Sequence, residues 1–273
     1  MEMTKEKEII KNMSYTDFVS FLKEENRPSG GKKTIREIAL QSFVHKDSKV
    51  LEVGCTNGFS SLEIARLVGC SVWGVDINPR SVENAKKRCV GEENIHFSTC
   101  DACSLPFEDN FFDLVICGNA LSFMRDKGTA LNEVMRVVKD WKFISLVPIW
   151  YRKSPDDQVV EKVSSIIGNK IQMYTKQMWL DFFEVFGLEL YYMNDYCFKD
   201  NDEETIERYM QTFFQRDSLA RLDEPVFQAA YAKWKDIIGA FNDNLSHCAY
   251  SVVLLRKRPE LEEIEAFPTI KLG

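Results

Sequence analysis

An acidic residue and two glycines follow a short apolar run early in the chain. The run begins at Val50, the acid is Glu52, and the glycines are Gly54 and Gly58. A helical pattern over residues 61–68 comes next, so the stretch predicts a strand, a tight turn and a helix. In an open parallel sheet such a turn lies at the carboxyl end of a strand, where ligands bind. We therefore expect this turn to hold a ligand.

The residues around the turn restrict the kind of ligand. The pyrophosphate fingerprint G-x-G-x-x-G requires glycine at positions where this chain has Thr56 and Phe59. Side chains there obstruct the approach of phosphate and the contact of helix with strand, which disfavours a dinucleotide. Asp76 ends a second apolar run, and a carboxylate in that position can accept hydrogen bonds from both hydroxyls of a ribose. The sequence thus favours an adenosine cofactor without a diphosphate.

The motifs resemble those of the class I S-adenosylmethionine-dependent methyltransferases. The first motif of that family, acid-x-Gly-x-Gly-x-Gly, is matched at Glu52, Gly54 and Gly58, with Thr56 at the middle glycine. The likeness covers roughly residues 48–147 and continues, in the order of the family, through residues 74–78, 101–115 and 131–139. It implies S-adenosyl-L-methionine as the cofactor.

The resemblance also implies a set of site residues. The cofactor-binding positions are Glu52, Gly54, Cys55, Thr56, Asn57, Gly58, Asp76, Ile77, Asp101, Ala102, Cys103, Gly118 and Asn119. In the family, the carboxylate at Asp101 receives the amino group of adenine and the backbone N–H at Ala102 meets a ring nitrogen; alternatively, Asp101 only caps a turn. For the acceptor we expect contacts from Tyr15, Phe123, Trp150, Tyr209 and Phe213. No catalytic residue is predicted, because Ser122 and Phe123 stand where many relatives have histidine.

The implied fold is a Rossmann-like, doubly wound α/β sheet of seven strands, with the seventh antiparallel. Residues 1–44 are predicted to form an N-terminal helical cover, 45–257 the methyltransferase domain and 258–273 a C-terminal tail. Before the first strand, Thr34 is predicted to cap a helix after a Pro/Gly-Gly turn that lies over the cofactor. The fifth strand is predicted at Phe143–Val147. A helical insert at about 201–243 separates the last two strands and is predicted to shape the acceptor pocket.

The predicted function is methyl transfer from S-adenosylmethionine to an oxygen, nitrogen or carbon atom of a small molecule. Such an in-line displacement depends mainly on alignment of the acceptor and exclusion of water. No Asp/Asn-Pro-Pro-Tyr motif follows the fourth predicted strand, which argues against methylation of nucleic-acid bases. Two alternatives stay open: a non-catalytic S-adenosylmethionine-binding regulator or partner subunit on the same fold, and a nicotinamide-dependent oxidoreductase.

Composition limits the partners. Lys and Arg number 35 and Asp and Glu 42, a net charge of −7, so the chain as a whole has no polybasic footprint for nucleic acid or membrane. The charged N-terminus lacks the apolar core of a signal peptide, which predicts a soluble, cytoplasmic protein. Cys100 and Cys103 have C-x-x-C spacing, but a zinc site needs about two more clustered ligands, so no metal is expected. The protein is expected to be a monomer or a homodimer.

Overall fold

The computed structural model of the protein describes residues 2–25 and 27–259. Asn26 and the predicted tail from residue 260 onward lie outside the described residues. The helices are α1 (Glu2–Asn12), α2 (Tyr15–Phe21), α3 (Lys32–Gln41), α4 (Phe59–Val68), α5 (Pro79–Arg88), α6 (Ala120–Phe123), α7 (Lys127–Val137), α8 (Asp157–Ile167), α9 (Lys176–Val185), α10 (Glu203–Phe214), α11 (Asp217–Ala220) and α12 (Glu224–Leu245). The strands are β1 (Lys49–Val53), β2 (Ser71–Asp76), β3 (Ile95–Thr99), β4 (Phe112–Gly118), β5 (Val138–Leu146), β6 (Ile149–Tyr151), β7 (Glu189–Cys197) and β8 (Cys248–Arg256).

The strands form one sheet. The first five are parallel and lie in the order β3, β2, β1, β4, β5. The last strand, β8, pairs antiparallel with β5 and with β7. The predicted doubly wound α/β sheet with an antiparallel last strand is therefore confirmed. The short strand β6 is an addition: it continues the line of β5 along β8 after the break at Val147 and Pro148.

Helices cover both faces of the sheet. Val50 and Leu114 point to a core that includes residues of α3 and α4, whereas their chain neighbours Leu51 and Val115 point to a core with α7 and α9. Strands buried on both faces read as continuous apolar runs, as these do. Because β1 to β4 are parallel, their carboxyl ends lie side by side at one edge of the sheet. The residues after these ends form the candidate site.

The start of β5 differs from the prediction. The strand begins at Val138, directly after α7, and not at Phe143. Phe112 of β4 pairs with Val138 and Leu114 pairs with Phe143, so the four residues between form a bulge. Within the bulge Trp141 has a φ of 64° and donates its backbone N–H to the Lys257 carbonyl at 2.8 Å. The bulge is thus held by pairing with the chain after β8.

The N-terminal helices and the insert form a joint unit, which we call the helical layer (α1, α2 and α10 to α12). Phe18 and Leu22 of the N-terminal segment share one buried cluster with Phe213 and Trp234 of the insert. Each of these helices has an apolar stripe, and the stripes bury one another. The layer reaches the ligand edge of the sheet through Asp17, whose carboxylate accepts a hydrogen bond from the side chain of Asn78 at 3.1 Å.

Candidate functional site

The turn after β1 depends on its two glycines. Gly54 has a φ of 78°, and a Cβ added there would lie 2.6 Å from the Cβ of Ala120. Gly58 has a φ of 76°, and its added Cβ would lie 3.0 Å from the Cβ of Ala85. Between them Thr56 adopts a φ of 45°, so it takes the left-handed conformation that suits glycine. The turn therefore keeps the backbone of the glycine motif although its middle residue is a threonine.

The same turn is tied to β2 through the backbone. The N–H groups of Gly54 and the buried Cys55 both donate to the Val75 carbonyl, at 2.8 and 2.9 Å, and the Gly58 N–H donates to the Cys55 carbonyl at 2.8 Å. These bonds fix where the turn leaves the sheet. The turn is thus a rigid seat beside the end of β2.

Glu52 positions the helix that follows the turn. Its carboxylate is buried and accepts hydrogen bonds from the backbone N–H of Ser61, at 2.8 Å, and from the Ser61 hydroxyl. A carboxylate at the N-terminus of α4 interacts favourably with the helix dipole. Burial raises the pKa of Glu52 to about 7; the hydrogen bonds from Ser61 oppose that rise, and the charge of Asp76 adds to it. Glu52 therefore fixes the N-terminus of α4 relative to β1.

Asp76 connects the turn with the end of β2. One carboxylate oxygen accepts the Thr56 N–H and the other accepts the Asn78 N–H, each at 2.9 Å. Burial raises the pKa of Asp76, and these two hydrogen bonds oppose the rise. Each carboxylate oxygen can accept a further bond, so the group can also receive ribose hydroxyls. Ile77, the next residue, is 69% exposed and presents an apolar surface beside it.

The residues after β3 form a turn. The carboxylate of Asp101 accepts the Cys103 N–H at 2.9 Å, so the alternative of a turn cap describes a contact that is present. Ala102 is buried, whereas Asp101 is exposed. The pKa values of the Cys100 and Cys103 thiols are raised, mainly by burial. No group of three or more metal-binding side chains occurs within residues 2–25 and 27–259.

The side-chain amide of Asn119, which follows β4, is only partly hydrogen-bonded among the described residues. Its side-chain nitrogen donates to the Ser29 hydroxyl at 3.1 Å, but its side-chain oxygen is buried without a partner among the described residues. Gly118, just before it, has a φ of 46°. A buried acceptor without a donor costs free energy, which a ligand with an N–H donor would recover. The residues present therefore fit a cofactor that carries an amino group.

The N-terminal segment reaches both of these loops. The backbone carbonyl of Glu24 accepts a hydrogen bond from the side chain of the buried Asn57, and Ser29 binds Asn119. Thr34 was predicted to cap α3. This prediction is wrong, because the helix begins at Lys32 after Gly31. The Thr34 hydroxyl instead donates to the Ser29 carbonyl at 2.6 Å and holds the turn.

The five residues predicted to contact the acceptor fall into two groups. Tyr15, Tyr209 and Phe213 meet in the helical layer, where the rings of Tyr209 and Phe213 lie 5.6 Å apart. Phe123 is 45% exposed on α6, and its carbonyl accepts a hydrogen bond from the Asn169 side chain. The Trp150 indole donates to the Ser251 hydroxyl at 2.9 Å. The sequence reasoning missed Glu24 and Ser29, since neither belongs to a motif and only the fold brings them to the loops.

Comparison with known proteins agrees with this geometry. Residues 51–144 match the family described as methyltransferase domain. The chain is 37% identical over 98 residues to demethylmenaquinone methyltransferase of Staphylococcus aureus (35% of this chain, 41% of that protein), and 31% identical over 120 residues to O-methyltransferase cnsE of Penicillium expansum (43% and 44%). It thus covers less than half the length of each relative. The solved MccD protein has a similar fold, with a TM-score of 0.73 and 24% identity over 85% of this chain and 100% of that chain.

Residues 51–144 thus match a methyltransferase domain, in agreement with the resemblance of the motifs to the class I S-adenosylmethionine-dependent methyltransferases, whose cofactor is S-adenosylmethionine. Among residues 2–25 and 27–259, no helix combines the length and apolar composition needed to cross a membrane.

Proposed function

We propose that the protein transfers a methyl group from S-adenosylmethionine to an oxygen, nitrogen or carbon atom of a small molecule. The observation that carries the proposal is the buried side-chain oxygen of Asn119, which has no partner among the described residues. The next residue, Ala120, lies against Gly54 of the glycine turn. The amino group of S-adenosylmethionine would supply the missing hydrogen bond. Gly54, Thr56 and Gly58 would seat the same part of the cofactor.

The remaining cofactor contacts follow the ends of the strands. Asp76 would accept the ribose hydroxyls, and Ile77, Asp101 and Ala102 would surround the adenine. When bound, the cofactor supplies a methyl group on a positively charged sulfur. Glu24 and Ser29, which bind Asn57 and Asn119, would help to exclude water there. Exclusion of water would raise the reactivity of such a methyl group toward a nucleophile.

The helical layer is proposed to form the acceptor pocket as one unit. Neither the predicted cover of residues 1–44 nor the insert of about 201–243 would form the pocket alone. Phe18 and Leu22 are fully buried against the insert. Deleting the insert would therefore expose the N-terminal helices, so that point substitutions test the pocket better than a deletion does.

Labelled methyl transfer tests the proposal. The wild type should transfer the labelled methyl group of S-adenosylmethionine to a small molecule in a fractionated extract. Asn119→Ala should weaken binding of S-adenosylhomocysteine about fivefold, since one hydrogen bond is worth about 1 kcal/mol. Binding of S-adenosylhomocysteine without transfer to any fraction would favour the second candidate, a non-catalytic regulator on the same fold. The absence of a histidine near Ser122 supports this candidate.

A further inference from the structure

A partly buried carboxylate lies where the helical layer meets the glycine turn. The side chain of Glu24 is 17% exposed, and one of its oxygens lies 3.4 Å from a guanidinium nitrogen of Arg216. The next residue, Glu25, has a different environment: it forms ion pairs with Arg27 and, at 3.1 Å, with Arg88. Among the described residues Glu24 thus has one ion-pair partner, at 3.4 Å, whereas Glu25 has two.

The charge of Glu24 acts on two tyrosines of the helical layer, Tyr15 of α2 and Tyr209 of α10. Burial raises the pKa of Tyr15, and the charge of Glu24 and the phenol of Tyr209 raise it further. Burial, followed by the charge of Glu24, raises the pKa of Tyr209 to about 12. Both phenols therefore remain protonated.

Aromatic rings lie beside the residues that interact with this carboxylate. The Tyr15 ring lies 5.5 Å from that of Phe241, and the Phe213 ring lies 5.7 Å from that of Trp234. The Arg216 guanidinium lies 4.2 Å from the centre of the Phe213 ring, which holds it beside Glu24. A carboxylate in a layer rich in aromatic rings suits a flat, apolar molecule with one polar group.

The backbone of Glu24 locates this cluster relative to the cofactor loops. Its carbonyl accepts the hydrogen bond from Asn57, a residue of the glycine turn. The carboxylate is therefore attached to the same residue that touches the loop seating the cofactor. The loop after β4 carries Ser122 and Phe123 where many relatives have histidine, so this position supplies no base.

We propose that Glu24 is the proton acceptor of the methyl transfer and that the acceptor molecule is a small, largely apolar compound with an acidic hydroxyl, such as a phenol or an enol. This inference rests on the proposed function. The positive charge of Arg216 near Glu24 disfavours a cationic amine in the same place. A neutral hydroxyl donates its proton to Glu24 without bringing a further charge.

The step is balanced as follows. The O–H bond of the acceptor breaks and its proton passes to the Glu24 carboxylate. The electron pair of the oxygen forms the new O–CH3 bond, while the pair of the S–CH3 bond returns to sulfur and gives S-adenosylhomocysteine. Glu24 then releases its proton to solvent, and Tyr15 and Tyr209 hold the oxygen through their hydroxyl groups.

Several charges set the proton affinity of Glu24. Burial is the largest influence and raises its pKa above the ordinary value; Arg216 lowers it, Glu25 raises it, and Arg27 and Arg88 lower it. The net direction is upward. A base with a raised pKa takes a proton more readily from a weakly acidic hydroxyl.

The test compares Glu24→Gln with its neighbour variant Glu25→Gln, using 4-nitrophenol and unsubstituted phenol as probes. In Glu24→Gln, kcat/KM for phenol should fall at least about 100-fold, with a much smaller loss for 4-nitrophenol, whose hydroxyl ionises without help. In the wild type, kcat/KM should fall as the pH drops and Glu24 becomes protonated, and Glu24→Gln should lack this limb. Glu25→Gln should keep both the rate and the limb.

Binding and a second variant keep the test decisive. Calorimetry with saturating S-adenosylhomocysteine should show phenol binding to the wild type at least fivefold tighter than to Glu24→Gln, with equal cofactor affinity. If Glu24→Gln does not fold, Tyr15→Phe should lower kcat/KM for phenol about tenfold. Equal phenol binding by wild type and Glu24→Gln, or transfer to amines and not to phenols, would overturn the proposal. A wild type that binds phenol through Glu24 but transfers no methyl group would overturn the proposed function alone.

Discussion

The loops of the cofactor side and the helical layer of the acceptor side are built in different ways. On the cofactor side, the motif residues contact residues that are close in sequence: Thr56 reaches Asp76 and Glu52 reaches Ser61. In the helical layer the partners are far apart in sequence: the positions of Glu24 and Arg216 differ by 192. A motif can therefore encode the first region, whereas the second exists only once the fold has formed.

The largest effect that distinguishes the two regions is expected at Phe213, a side chain that is 2% exposed in the helical layer. Phe213→Ala should lower the free energy of unfolding by about 4 kcal/mol, because it removes a large buried ring and leaves a cavity. Chemical denaturation measures this loss, and Val185→Ala, at an 82% exposed position, should change it by less than about 0.5 kcal/mol. A folded Phe213→Ala protein that loses affinity for S-adenosylhomocysteine would show that the two regions are not separable.

Glu52 sharpens the comparison through pH. Its pKa is near 4.5 in the unfolded chain and about 7 in the folded protein. The folded protein therefore keeps the proton between these values while the unfolded chain releases it, so this group destabilises the fold as pH rises through that window. The difference is worth about 3 kcal/mol. The stability of the wild type relative to Glu52→Gln should fall by that amount from pH 4.5 to 7; denaturation curves that stay parallel would contradict the raised pKa.

Gly54 tests the close approach in the glycine turn. Gly54→Ala should lower the free energy of unfolding by about 2 kcal/mol more than Gly91→Ala does, since overpacking costs about 1–3 kcal/mol. Both glycines have a positive φ, of 78° and 91°, but an added Cβ at Gly91 meets nothing within 4 Å. The control therefore contains the backbone strain without the contact with Ala120. Equal losses in urea denaturation would mean that strain alone requires Gly54.

Thr56 should give the smallest effect. Thr56→Gly should leave the affinity for S-adenosylmethionine within about 1 kcal/mol, because one net hydrogen bond is worth no more. The φ of 45° adds a reason, since glycine takes that conformation without strain. A calorimetric loss of more than tenfold would instead place the Thr56 side chain in contact with the cofactor.

The predictability of each feature follows the same division. The parallel strands were accessible because apolar runs of residues that lie close in sequence specify them. The start of β5 was not, because its bulge depends on Lys257, more than a hundred residues further on. The capping role of Thr34 was predicted wrongly because the helix begins earlier, at Lys32, after the Pro/Gly-Gly turn.

In the candidate site, the residues named from the motif lie at neighbouring strand ends, since glycines and acids in fixed spacing specify that edge. Glu24 carries no such signal in the sequence. Its place depends on the contact between the N-terminal segment and Arg216, which only burial of the two apolar stripes creates. Contacts to bound cofactor and acceptor remain predictions for both groups.

Calorimetric titration of the wild type and Asp76→Ala with S-adenosylmethionine and with NAD tests the central claim most directly. The wild type should bind S-adenosylmethionine and not NAD. Asp76→Ala should weaken that binding by about 1.5–3 kcal/mol, because hydrogen bonds to a charged acceptor vanish together. Unchanged affinity in a folded Asp76→Ala protein, or tighter binding of NAD by the wild type, would contradict the assignment of this edge of the sheet as the S-adenosylmethionine site.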